Sequence, residues 1–343
     1  MATVDLFAIG NALIDQEFKV SNEFLVEQAL QKGTMQLADG ETQADLYQKL
    51  QTTQSYKGQA SGGSAANTSV AFSALGGTAF YGCRVGNDEL GSIYLTGLNE
   101  AGIKTATQSI SEGVTGTCMV LISPDSERTM QTYLGITAEL TAEQIDFEPL
   151  KTAKWLYIEG YLSTSDTARV AVKQARELAK ANGVKIALSL SDPAMVQYAR
   201  SGLEELLDDG VDLLFCNEQE ALMFTNTENL DAAIETLKLK NQHIVITQGA
   251  KGAVIVNEAH QFHVNGRVVE AVDTNGAGDA FAGAFLYAIN AGLSLEAAAQ
   301  LAILISSEVV AQYGPRLSVE NYAKLFEQFQ SSTGMCITWK RFA

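Results

Sequence analysis

Short apolar runs and longer amphipathic ones take turns along this chain. Val4–Gly10 reads as a first strand that breaks at Gly10-Asn11, and Ile14–Val20 follows as a second strand-like piece. Apolar residues at helical spacing predict helices over Asn22–Gln31 and Thr42–Gln51. Gly62-Gly63-Ser64 then introduces a helix of small residues, Ala65–Leu75, closed by Gly76-Gly77. Small side chains let such a helix lie close to a sheet or a ligand. Between residues 104 and 135 the texture changes. Lys104–Ile110, Thr117–Ile122 and Arg128–Leu134 are short alternating segments broken by turn residues such as Pro124-Asp125-Ser126, which predicts a small antiparallel sheet.

From Lys154 onward strands and helices alternate. Strands are expected at Trp155–Glu159, Lys185–Leu190, Val211–Cys216 and Ile244–Gln248, with the helix Asp166–Ala181 ending at Gly183. Apolar strand runs separated by helices indicate a parallel sheet covered on both faces. Hairpin-like strands follow at Gly252–Val256 and Gln261–Val264, then helices at Ala277–Ala291, Leu295–Gln312 and Val319–Gln330. No internal repeat is evident, and the residues from Ser331 continue no pattern.

These elements predict an α/β fold: a doubly wound, mostly parallel sheet flanked by helices, carrying a small β-sheet lid. The large domain is assigned residues 1–13, 41–103 and 136–330, the lid 14–40 and 104–135, and a tail 331–343. A site belongs at the carboxyl edge of the strands, under the lid. The 343 residues, 46% hydrophobic and 18% charged, suffice for a large core without staples.

The formal net charge of −17 disfavours a nucleic-acid partner, whose binding rests on Lys and Arg neutralising phosphates. A small anion can still be held where backbone amides and a few placed cations converge. Cys83, Cys118, Cys216 and Cys336 are far apart and form no CxxC pair, which is a reduced-compartment pattern. No apolar stretch reaches the ~18–20 residues of a membrane span, and the N-terminus has no basic leader. A soluble, cytoplasmic protein without a membrane partner is expected.

The chemistry concentrates in Asp273-Thr274-Asn275-Gly276-Ala277-Gly278-Asp279, between a strand-like segment and a strongly helical run. Gly276 and Gly278 clear side chains from the helix start, so backbone N–H groups point outward and make an anion site. Asp279 then sits in the first turn beside the bound anion. A lone first-turn Asp usually does no more than complement the helix dipole. Next to an anion hole, a carboxylate makes sense as the base for an alcohol attacking a phosphoryl group. Gly86–Ser92 has the glycine spacing of a P-loop but no lysine, and reads as a turn with Asp88 capping a helix. No GxGxxG follows the first strand.

Together with Gly62-Gly63-Ser64-Ala65-Ala66-Asn67, the 273–279 segment resembles the paired motifs of the ribokinase-like (PfkB) carbohydrate kinases, over nearly the whole chain. Gly10-Asn11-Ala12-Leu13-Ile14-Asp15, Asn275 and Tyr313-Gly314 are most similar to the adenosine kinase branch. The resemblance implies ATP and Mg²⁺, often with a monovalent cation such as K⁺, and a nucleoside or sugar as acceptor. It implies Asp279 as general base on a 5′-hydroxyl, and Asn275, Gly276, Ala277 and Gly278 as anion hole. Asp15 would accept hydrogen bonds from the ribose hydroxyls, with Asn11, Gly62, Gly63, Ser64 and Asn67 around the sugar. Asn217-x-x-Glu220 would organise Mg²⁺ through water. Thr247, Gly249 and Gly252 would contact ATP, and Arg128 on the lid would supply a cation.

Several of these have plainer readings: Asp15 as a solvated strand residue, Asn217 and Glu220 as a capping box, Arg128 as a surface charge. His243, His260 and His263 carry no metal-ligand spacing and read as structural. Where the branch often has an aromatic after a proline, this chain has Ser191-Asp192-Pro193-Ala194. Leu13, Met35 and Leu37 remain as an apolar clamp for a base, with Gln36 beside them to hydrogen-bond a purine. The expected function is transfer of the γ-phosphate of ATP to the 5′-hydroxyl of an adenosine-like nucleoside, by a monomer or homodimer. A ribokinase- or fructokinase-type sugar kinase is the alternative, and a nucleotide-binding oxidoreductase a more distant one.

Overall fold

The computed structural model describes residues 4–52, 56–258 and 260–334. Among them, nine strands form one sheet in the order Gln261–Asn265, Gly252–Val256, His243–Thr247, Leu213–Asn217, Lys185–Ser189, Trp155–Glu159, Leu6–Ile9, Ala79–Gly82, Lys104–Thr105. Pairing is parallel from His243–Thr247 to Lys104–Thr105 and antiparallel on both sides of Gly252–Val256. The continuous apolar runs are what this architecture needs, because both faces are buried. Leu6 and Ala8 enter one core while Phe7 and Ile9 enter the other, as do Trp155 and Tyr157 against Leu156 and Ile158.

Helices cover each face. Asp166–Ala181 starts at Ser165, whose side chain accepts from the Ala168 N–H, and buries Ala168, Ala171, Val172, Ala175 and Ala179 as one stripe. It stops where Gly183 takes φ +70°. On the other face Ser64–Ala74 and Ala277–Asn290 cross closely: a Cβ on Gly283 would lie 2.3 Å from the Thr68 carbonyl oxygen. The small residues of both helices make that approach possible.

A separate five-stranded sheet has the order Met35–Leu37, Arg128–Gly135, Thr115–Ile122, Leu13–Lys19, Tyr56–Gly62. Its outer face packs Phe18, Met119 and Leu121 against Leu25, Leu46 and Leu50 of the helices Asn22–Glu27 and Gly40–Thr52. Its inner face looks onto the carboxyl edge of the large sheet. The fold is therefore the ribokinase-like α/β architecture, with a mixed central sheet and a small separate one.

The strand partners differ from expectation at both ends of the small sheet. Tyr56–Gly62, expected in the large domain, pairs antiparallel with Leu13–Lys19. It is a half-exposed edge strand of small and polar residues, with no apolar alternation to announce it. Lys104–Thr105, expected in the lid, pairs instead with Phe80 and Tyr81 of the large sheet, and Ile110–Ser111 pairs with Val85–Gly86. The strand Ala79–Gly82 itself is only four residues long, too short for periodicity to reveal. Asp88 caps the helix Glu89–Glu100 as expected. The last helix, Val319–Thr333, runs into the segment assigned to the tail, and Cys336 lies outside the described residues.

Candidate active site

The carboxyl end of Trp155–Glu159 places an acid where the strand leaves the core. Glu159 is fully buried; its Oε1 accepts the Asn11 N–H at 2.7 Å and its Oε2 the Ala65 N–H at 2.8 Å. It thereby ties the Gly10-Asn11 break to the start of the helix Ser64–Ala74. Tyr81 completes the tie, its hydroxyl donating to the Asn11 carbonyl at 2.8 Å. Burial pushes the Glu159 carboxyl up to about 7, against the two N–H donors.

The glycines of the Gly62-Gly63 motif are explained by crowding. Gly63 has φ +95°, and a Cβ there would stand 2.4 Å from the Asn11 carbonyl oxygen. A Cβ on Gly62 would run into the Asp15 carboxyl. Asp15 is 6% exposed, and burial raises its pKa to about 7, with Arg316 opposing and Glu17 and Asp279 adding to the rise.

Asp279 lies in the first turn of Ala277–Asn290 and receives two side-chain donors, the Ser64 hydroxyl at 2.7 Å and the Asn67 amide at 3.0 Å. Burial raises its pKa, while Asn67, Ser64, Arg128 and Arg316 pull it down. The preceding loop is held from three sides. Asp273 Oδ1 accepts the Asn275 N–H at 2.9 Å, and Arg128 Nη1 donates to Asn275 Oδ1 at 3.1 Å. Gly276 takes φ +72° with Pro315 packed behind it, where a Cβ would sit 2.5 Å from Pro315 Cβ. Gly278 has nothing within 4 Å of a Cβ position and opens toward empty space.

Two cavities meet at this loop. The first is lined by Asn11, Leu13, Asp15, Gly63, Ser64, Asn67, Arg128, Asn275 and Asp279 from the sequence expectation. Met35 and Leu37 also line it, along with Met130, Leu134 and Met195, so charged, polar and apolar side chains share its lining. The second cavity is lined by Thr247, Gly249 and Gly252, by Arg267 to Val269, and by Thr274, Ala277 and Gly278. The same seven-residue motif thus walls both spaces.

Gln36 is not brought to the first cavity, which corrects its assignment as a purine contact. Met35 and Leu37 line the space, and strand alternation turns the residue between them to the opposite face. Gly62 shapes the wall only by making room for Asp15. Asn217 stands beside Thr247 in strand register but lines neither cavity. It forms a full capping box with Glu220: its N–H and amide donate to the two Glu220 oxygens at 3.0 and 2.6 Å, and its Oδ1 accepts the Glu220 N–H. Burial raises Glu220 to about 7. Burial also works against the Arg128 charge, but Tyr161, Asp279, Asp192 and Asp273 outweigh it, and its pKa rises.

Sequence reasoning missed Glu159, Arg316, Tyr161, Met130, Leu134 and Met195. An acid ending an apolar strand was a readable signal for Glu159. Met195, two residues past Pro193, lies close to where an aromatic was sought. Among the described residues no three of His, Cys, Asp and Glu gather as a metal cluster, and no helix is long and apolar enough to cross a membrane.

A glycine-opened helix start with a half-buried carboxylate in its first turn, set between two cavities at the edge of this fold, fits a phosphotransferase of the sugar-kinase type. The chain belongs to the pfkB family carbohydrate kinases, whose profile matches residues 9–321. It is similar to the adenosine kinase of Sinorhizobium meliloti, with 35% identity over 94% of this chain and 99% of that one and a TM-score of 0.88. It is 28% identical to the adenosine kinase of Saccharomyces cerevisiae over 94% of this chain and 100% of that protein. It is 31% identical to the ribokinase of Mus musculus over 68% of this chain and 73% of that protein. The chain is an ATP-dependent kinase, adenosine kinase-like. The oxidoreductase alternative falls with that membership.

Proposed function

We propose that this kinase transfers the γ-phosphate of ATP to the 5′-hydroxyl of a purine nucleoside of the adenosine type. One observation carries the reading: Asp279 shares a cavity with both polar groups and a set of apolar side chains, and the Gly278 side of the same turn opens on a second cavity. A nucleoside offers surfaces of both kinds. Its ribose suits Asp15, Gly63 and Asn67, the carboxylate acting as acceptor for vicinal hydroxyls. Its base suits Leu13, Met35, Leu37, Met130 and Leu134. A free sugar would leave these apolar side chains unused.

In this mechanism the γ-phosphate enters from the second cavity and meets the N–H groups of Asn275, Gly276, Ala277 and Gly278. The 5′-oxygen attacks the γ-phosphorus as Asp279 accepts its proton. The bond from the γ-phosphorus to the β–γ bridging oxygen breaks, and ADP carries the charge away. The N–H groups stabilise the negative charge on the transferring group in a site with little water, and Arg128 adds a cation. Magnesium, when bound, would supply charge neutralisation on the phosphates. Both Glu220 oxygens already accept from Asn217, so these two residues would hold the metal's water rather than the metal. The small sheet covers the acceptor, and its closure keeps water from competing with the alcohol.

The test is a coupled ADP-release assay with Mg-ATP against adenosine, inosine, guanosine, ribose and fructose in parallel. Turnover with a purine nucleoside and none with the free sugars is expected. Turnover confined to a free sugar would overturn the acceptor assignment and leave the base and anion hole standing.

A further inference from the structure

The segment Gly314-Pro315-Arg316 runs behind the 273–279 loop: Gly314 and Pro315 touch it, and Arg316 reaches on to the start of the helix Ser64–Ala74. The Gly314 N–H donates to Asp273 Oδ2 at 3.0 Å, Pro315 packs against Gly276, and Arg316 Nε donates to Asn67 Oδ1 at 2.8 Å. Arg316 Nη2 also donates to the Ser61 carbonyl. Asn67 and Arg316 are 249 residues apart in sequence. This contact therefore closes the acceptor site from the far end of the chain.

An asparagine amide has one accepting and one donating end, whereas a guanidinium only donates. Arg316 must therefore meet the Asn67 oxygen, and this leaves the Asn67 NH₂ to face Asp279 Oδ2 at 3.0 Å. Without Arg316 the Asn67 oxygen loses its donor, and the amide is held in this orientation by Asp279 alone.

We propose that Arg316 is a positioning residue for the base: it fixes the Asn67 amide so that Asn67 donates to Asp279, and it stands as a cation between Asp279 and Asp15. The proposal rests on Asp279 being the base. The groups around Asp279 make the charge matter. Asp15 and Glu159 face it as acids, and Arg128 and Arg316 as cations. Tyr157, Tyr161 and Tyr322 stay neutral because burial raises their phenols. Removing Arg316 leaves two acids against one cation.

Arg316→Gln and Arg316→Lys are compared with the parent by kcat against pH at saturating Mg-ATP and adenosine. In Arg316→Gln the acid limb should move up by roughly one pH unit, because lost opposite charge and a lost donor both favour the protonated carboxyl. One unit below the parent's midpoint, kcat should fall about tenfold further, with recovery toward the alkaline plateau. Arg316→Lys keeps the charge but not the fork; its limb should stay near the parent's while the plateau drops. A uniform loss at every pH, with the limb unmoved in Arg316→Gln, would make Arg316 merely structural and overturn the proposal.

A second readout needs no acceptor: ¹³C titration of the Asp279 carboxyl, assigned by its disappearance in Asp279→Asn. An upward shift in Arg316→Gln supports the relay and no shift overturns it, even if every nucleoside and sugar fails as substrate. If Arg316→Gln does not fold, Asn67→Ser must raise the same carboxyl, and an unmoved resonance there is equally fatal.

Discussion

Glu159 ends its strand with both carboxylate oxygens engaged, one by the Asn11 N–H and the other by the Ala65 N–H. A glutamine there has one acceptor for two donors, and its NH₂ would face an N–H. Glu159→Gln should therefore lower stability by about 1–3 kcal/mol at pH 8, where the carboxylate form is present, read from the urea midpoint. Burial also sets a pH dependence. The folded-state pKa of about 7 lies above the ordinary 4.5. The folded chain thus binds this proton more tightly than the unfolded one. The resulting stabilisation is complete below 4.5 and is lost as pH rises through about 7. Removal of Glu159 should flatten that part of the curve. A glutamine variant as stable as the parent at pH 8 would mean that neither N–H depends on the carboxylate.

Met35 and Leu37 of the small-sheet strand Met35–Leu37 line the first cavity together with Leu13, Met130 and Leu134. Leu37→Asp places a charge against the proposed base, and should weaken nucleoside affinity about tenfold by calorimetry while leaving ATP affinity unchanged. Unchanged nucleoside affinity would remove the main support for a nucleoside acceptor. Elements of this kind were unevenly legible in the sequence. Asp166–Ala181 and Trp155–Glu159 could be read to the residue, because a long stripe and a continuous apolar run each carry a strong periodic signal. The motif loop at 273–279 was legible because its glycines and acid are adjacent in the chain. Tyr56–Gly62 was not, having no apolar alternation, and Gln36 was misassigned because a three-residue strand hides its own alternation. Arg316 was beyond reach, since its role depends on a partner at Asn67 brought near only by folding.

At the scale of the whole molecule, in the proposed mechanism the chain encloses an anion site despite its net charge of −17. It does so with backbone donors at one helix start and with Arg128 and Arg316 set among buried acids, so local geometry outweighs the global charge. The large sheet brings the motif loop to its carboxyl edge, the small sheet covers the acceptor cavity, and the second cavity opens on the other side of the same turn. All of this converges on one carboxylate. The most direct test of that convergence is Asp279→Asn, measured for kcat and, separately, for nucleoside affinity by calorimetry. The account predicts a fall in kcat of about 10²–10⁴ with nucleoside affinity retained within a few-fold. An Asp279→Asn enzyme that turns over at the parent's rate would contradict the assignment of Asp279 as the base, and with it the relay through Asn67 and Arg316.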